Sequence, residues 1–127
     1  MKYIKKILKK LSEDPITSKT PTIVFARDPK CNLSEFKLDD LSCYGMFTSI
    51  DPSSAISVFK GSHALQGNLD PKILLEEDSV IKESVKKMLS EFNEFPGYIF
   101  NLGHGITPDI NPDKVKVLVE AIRESGA

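Results

Sequence analysis

The chain has 127 residues, 40% of them apolar and 28% charged, which is one globular domain or part of one and gives no sign of disorder. A net charge of −1 supplies no field for holding nucleic acid or a membrane surface, and no apolar run is long enough for a membrane span. Two cysteines, Cys31 and Cys43, are too few for a disulfide scaffold or a metal site of their own, and they suggest a reducing compartment.

Taken in order, the first segment is Lys2 to Leu11. Ile4, Ile7, Leu8 and Leu11 recur at helical spacing, with lysines on the other face. The lysines interrupt the apolar core that a signal peptide requires. A membrane-surface helix shares this pattern, but a helix packed on a sheet with a solvated lysine face fits better, because the apolar face is an ordinary core stripe. Thr22 to Ala26, apolar and partly β-branched, reads as a strand. A polar loop, Asp28-Pro29-Lys30, precedes a short helix near Ser34 to Leu41 and a strand at Cys43 to Phe47. Asp51-Pro52 predicts a capped helix running to about Phe59, closed by Lys60-Gly61.

Ala64 to Gln66 reads as a third strand. A helix follows from about Ser79 to Phe92, with Ile81, Val85, Met88, Leu89 and Phe92 on one face. Tyr98 to Leu102 is the fourth strand. Asn111-Pro112 then opens a last helix to Glu124, with Val115, Leu118, Val119 and Ile122 facing inward. Strands that alternate with helices predict right-handed parallel βα units, an α/β fold. Their near-continuous apolar character predicts burial on both faces. An open four-stranded sheet is allowed. A (β/α)8 barrel typically needs about 250 residues, roughly twice what is present.

The segment Tyr98-Ile-Phe-Asn-Leu-Gly-His-Gly-Ile-Thr-Pro-Asp109 is the most informative. A short strand stops at Asn101-Leu102-Gly103-His104-Gly105, where two glycines let the backbone turn and a ligand approach. This arrangement presents a side chain at the carboxyl end of a parallel sheet, where ligands bind. Two readings of His104 stand: a ligand-facing residue, or a solvated turn residue. Ala64-Leu65-Gln66-Gly67-Asn68-Leu69-Asp70-Pro71 repeats the grammar. Gln66 and Asn68 could line the same mouth. Asp70 reads better as turn and helix-start chemistry. His63 defaults to a solvated loop residue. Arg27 and Asp28 end the first strand and could reach a cleft or pair at its rim.

Together, Leu-Gln-Gly-Asn-Leu-Asp-Pro and, roughly thirty residues later, Asn-Leu-Gly-His-Gly-Ile-x-Pro-Asp resemble the uroporphyrinogen decarboxylase family in order and separation. Thr20 to Asp28 resembles an earlier strand of that family. The resemblance implies that residues 1–127 are a single partial domain, the last four βα units of a (β/α)8 barrel. It implies decarboxylation of the acetate arms of a porphyrinogen in the cytoplasm, as part of haem synthesis, with no metal and no organic cofactor. His104 would be catalytic, by hydrogen-bonding a substrate carboxylate or helping to move a proton, and Gly103, His104, Gly105, Gln66 and Asn68 would bind substrate. The partners implied are the porphyrinogen, a missing N-terminal half and further copies of the chain, with no nucleic acid or membrane.

Several family features are absent. Its principal catalytic aspartate and an Arg-Gln-Ala-Gly-Arg-Tyr stretch belong to an N-terminal half that this chain lacks. Only Arg27 and Arg123 are arginines, a thin supply of carboxylate clamps. Where the family usually has Gly-Leu-Asp-Trp, this chain has Gly45-Met46-Phe47-Thr48. A sister group on the same fold transfers methyl groups and holds zinc through cysteine and histidine. Cys31 and Cys43 lie outside the corresponding turn, which argues against a zinc thiolate here. The chain alone is therefore expected to be inactive. With its sheet edges and inner face uncovered, it is expected to self-associate, to bind the missing half or to aggregate. A small anion-binding α/β domain, using the helix start beyond Gly105, and a non-catalytic remnant are the alternatives.

Overall fold

The structure is a computed structural model that describes residues 1–126. Its elements alternate: α1 (Lys2–Glu13), β1 (Ile23–Phe25), a 3-10 helix (Leu33–Phe36), β2 (Cys43–Gly45), α2 (Pro52–Phe59), β3 (Ala64–Gln66), a second 3-10 helix (Pro71–Leu75), α3 (Asp78–Glu91), β4 (Tyr98–Ile99) and α4 (Pro112–Glu124). Helix ends follow local chemistry. Asp51 Oδ2 accepts from the Ser54 amide at 2.9 Å, and Asn111 Oδ1 accepts from Asp113 at 2.9 Å. Gly61, at φ 76°, takes the left-handed conformation that closes α2.

Three elements differ from expectation. The helix expected at Ser34 to Leu41 is a single turn, Leu33–Phe36, capped by Asn32 and Glu35. The chain must reach Ser42, whose amide already pairs with the Thr22 carbonyl at 3.2 Å. The second strand ends at Gly45, because the chain turns at Phe47 to Ile50 to enter α2. The fourth strand ends at Ile99, and pairing resumes only as a bridge between Leu69 and Leu102.

All four strands are parallel, in the order β1-β2-β3-β4. Val24, Tyr44, Leu65 and Tyr98 share one register row. They face a core made with Leu8 of α1, Phe36, Ala55 and Phe59 of α2, and Phe92 after α3. Tyr44 lies between Phe36 and Phe59, with ring centroids 4.7 and 5.1 Å away. Tyr98 stacks on Phe92 at 3.9 Å. A second core joins Ile81 and Val85 of α3 to Leu118 and Ala121 of α4, closed by Leu69, Leu74 and Ile110.

The alternate row does not pack this way. Ile23, Phe25 and Ile99 are 50%, 48% and 44% exposed, on the sheet face opposite the helices. Within residues 1–126 the helices that meet the sheet pack on one side of it, as in one wall of a barrel, while on the other side Cys43 is buried and Ile23, Phe25 and Ile99 are half-exposed. Val119 and Ile7, expected to face inward, are exposed, while Ala121 and Leu8 are buried.

Candidate functional site

At the carboxyl ends of the strands lies a cleft of about 270 Å3. Phe25, Gly45 and Gln66, adjacent in one register row, form its floor. Met46, Asn101, Leu102, His104 and Gly105 complete it. The sequence motifs thus bring Gln66 and His104 together, thirty-eight positions apart, because β3 and β4 are neighbours.

His104 is half-buried, and its Nδ1 is 2.9 Å from the Gly105 carbonyl. A carbonyl oxygen only accepts, so Nδ1 carries the hydrogen and Nε2 is left for a ligand. Nε2 accepts when the ring is neutral and donates when it is protonated. The ring lies against Phe47, centroids 5.7 Å apart and tilted 32°, and Phe47 lies 6.3 Å from Phe25. The flanking glycines differ. A Cβ on Gly103 would sit 2.6 Å from the Thr48 nitrogen and 2.7 Å from its Cα, so Gly103 is needed for close packing. A Cβ on Gly105 would meet nothing within 4 Å, so its backbone is open to an approaching group.

Asn68 corrects its expected role. It is 4% exposed and does not line the His104 cleft. Its Nδ2 donates to the carbonyls of Phe47 and Ile50, at 3.0 and 2.7 Å, so it fastens the turn that carries Phe47. Gly67, at φ 119°, lets this happen: a Cβ there would lie 2.8 Å from the Met46 carbonyl oxygen. The Tyr98 hydroxyl donates to the Gly67 carbonyl from beneath. Asp70 accepts from the Lys72 amide at 3.0 Å, as its turn reading predicts.

His63 is not simply solvated. Its Nε2 donates to the Leu38 carbonyl at 2.8 Å, and its ring meets Phe59 edge-on at 5.6 Å. Arg27 and Asp28 are exposed and do not line the cleft. Phe25, Met46, Asn101 and Leu102 line it without having been singled out from the sequence. Phe25 was readable only by parity with Gln66, which requires the strand pairing to be known.

His104 is the one ionisable side chain in the cleft lining. The site can accept or move one proton and make neutral hydrogen bonds, but brings no cation to hold several carboxylates. Cys43 pairs in register with Ile23 but is buried, and burial pushes its thiol up. Among the described residues no group of three or more His, Cys, Asp or Glu lies together to hold a metal ion. Nor is any helix among them long and apolar enough to cross a membrane.

A parallel βα wall with its cleft at the carboxyl edge defines part of a (β/α)8-barrel protein. A methyltransferase from Methanosarcina mazei has the same fold, with a TM-score of 0.73 over 98% of this chain and 36% of that one, at 22% identity. The chain belongs to the uroporphyrinogen decarboxylase family, whose model matches residues 1–125. The uroporphyrinogen decarboxylase of Alcanivorax borkumensis is 35% identical over 124 residues, covering 98% of this chain and 35% of that protein. The one from Chlorobium limicola is 40% identical over 110 residues, covering 84% and 31%. The chain therefore spans about a third of the length of these relatives.

Proposed function

We propose that this chain supplies the last four βα units of a cytoplasmic uroporphyrinogen decarboxylase, which converts uroporphyrinogen to coproporphyrinogen in haem synthesis. At each acetate arm the bond from the methylene carbon to the carboxylate breaks, CO2 leaves, and a proton makes the methylene a methyl. The observation that carries the reading is His104: it stands in the family's Gly-His-Gly turn, at the carboxyl end of the sheet, with Nε2 uncommitted. Its role is to hydrogen-bond a substrate carboxylate or pass a proton. Gln66 lines the same wall, the Gly105 backbone lets substrate come close, Gly103 seats the turn on Thr48, and Asn68 acts indirectly by holding Phe47 against His104. The resemblance calls for no metal or organic cofactor.

The cleft has no cationic side chain in its lining, so charge complementarity to a polycarboxylate must come from the other two-thirds of the enzyme. The test is co-expression of the chain with the complementary N-terminal portion of the Alcanivorax borkumensis relative, followed by fluorescence detection of coproporphyrin after oxidation. Turnover is expected from the pair and not from the chain alone. A folded pair that binds uroporphyrinogen but releases no CO2 would overturn the proposal.

A further inference from the structure

The pose of His104 depends on a turn to which it does not belong. Its ring lies against Phe47, and the neighbouring Gly103 packs on Thr48. Phe47 and Thr48 both stand in the turn after β2, which the Ile50 amide closes on the Phe47 carbonyl at 2.9 Å. Asn68, at the end of the next strand, holds this turn by donating to the carbonyls of Phe47 and Ile50. Whatever fixes Asn68 therefore bears on His104, and the group that does so comes from β4.

Beyond the ends of β3 and β4 the parallel ladder continues. The Gly67 amide donates to the Ile99 carbonyl at 3.1 Å, the Leu69 amide to the Asn101 carbonyl at 3.2 Å, and the Gly103 amide to the Leu69 carbonyl at 2.8 Å. In that pattern the Gly67 carbonyl is due a bond from the Asn101 amide. Among the described residues it accepts instead from the Tyr98 hydroxyl. Gly67 is buried, so its carbonyl needs a donor, and Tyr98 provides one from the helix side of the sheet, in the row of Val24, Tyr44 and Leu65. The Tyr98 ring is itself fixed, stacked on Phe92 with centroids 3.9 Å apart and planes 1° apart. Burial, with Glu91 as a smaller cause, pushes its hydroxyl up, so it keeps its proton and goes on donating at ordinary pH.

We infer that the Tyr98 hydroxyl is a positioning group for His104: it pins the peptide before Asn68 and so aims the Asn68 amide at the turn that carries Phe47 and Thr48. Tyr98 does not line the cleft. The links run from β4 to β3, from β3 to the turn after β2, and from that turn to the Gly103-His104 turn, and none uses the outer edge of β1 or β4. The inference rests on His104 being the working group of the cleft, as in the decarboxylase reading. Its test reads the imidazole itself, without substrate, so either can fail alone.

The test is NMR of the full chain labelled at its two histidines. His104 reports on the links above, and His63, which packs on Phe59 in the same core as Tyr98, reports on the core at large. Tyr98→Phe keeps the ring on Phe92 and removes only the hydroxyl. The expected result is a shift of the His104 imidazole protons in the direction that Phe47→Ala produces, with His63 unmoved. Exchange of the Ile50 amide should quicken by about tenfold. In a Phe47→Ala background, Tyr98→Phe should move His104 less than it does in the unsubstituted chain, because one link is already broken. Unmoved His104 resonances or an unchanged Ile50 amide would overturn the inference. So would equal shifts of both histidines, which mark a general loosening of the core, or full additivity with Phe47→Ala, which marks an effect that bypasses the turn. A Tyr98→Phe chain that loses its helicity by circular dichroism would overturn it too, since the hydroxyl would then hold the whole fold and not the turn.

Discussion

The imidazole of His104 rests against the phenyl ring of Phe47, with centroids 5.7 Å apart. The two residues belong to turns after different strands. Contact of this kind contributes about 0.5–1.5 kcal/mol and fixes ring orientation. Phe47→Ala should release the ring. In NMR spectra the His104 imidazole protons should move toward the positions of an unstructured histidine, with the backbone spectrum otherwise retained. Unmoved imidazole resonances would show that Phe47 does not orient His104.

In the assembled enzyme, His104→Ala should lower turnover by about 100-fold if His104 transfers a proton. His104→Asn keeps a hydrogen-bond donor but cannot titrate. It should retain more activity than the alanine variant if the role is to bind a carboxylate, and lose as much if the role is proton transfer. Steady-state rates of both variants separate these outcomes, and full activity in both would return His104 to a structural role.

The glycines flanking His104 should respond differently to alanine. Gly103→Ala forces the Thr48 backbone aside and should cost about 1–3 kcal/mol, read as a lower urea midpoint. Gly105→Ala meets open space and should change stability by less than about 0.5 kcal/mol. An equal response at both positions would contradict the packing of Gly103 on Thr48.

Asn68→Asp replaces a donating amide by a carboxyl of the same shape. It removes both bonds to the Phe47 and Ile50 carbonyls and should destabilise by about 2 kcal/mol or more. Hydrogen exchange should report faster opening of the turn after β2, with α4 unaffected. Unchanged exchange at that turn would show that Asn68 does not hold it.

Tyr44 should make the fold sensitive to alkali. Burial, with the neighbouring Cys31 as a smaller cause, pushes its hydroxyl up to about 12 from an ordinary 10. The folded state therefore holds the proton more tightly. Stability from this group is complete below pH 10 and is lost as pH rises from 10 to 12, by up to about 1.4 kcal/mol per pH unit. Its hydroxyl is buried without a hydrogen-bond partner among the described residues. Tyr44→Phe should therefore make the fall of urea-derived stability between pH 10 and 12 less steep, with the loss from the likewise raised Tyr98 remaining, and at neutral pH leave stability equal or higher by about 1 kcal/mol. A steeper alkaline loss in the variant would contradict the assignment.

What the sequence determined was whatever depends on neighbours a few residues away. Asp51-Pro52 and Asn111-Pro112 start helices because their side chains cap amides two or three positions on, and Gly61 ends one by its backbone freedom. The order of strands and helices, and the placing of Gln66 and His104 at strand ends, followed from the same local grammar. The tertiary structure decided what depends on residues brought together from afar. Asn68 looks like a cleft residue until the turn twenty positions earlier presents two carbonyls to its amide. His63 looks solvated until Leu38 and Phe59 close on it. The strands read as buried on both faces because apolar side chains alternate onto both. That the helices of this segment all meet the face of Val24, Tyr44, Leu65 and Tyr98 depends on where each helix docks, and no single segment encodes it.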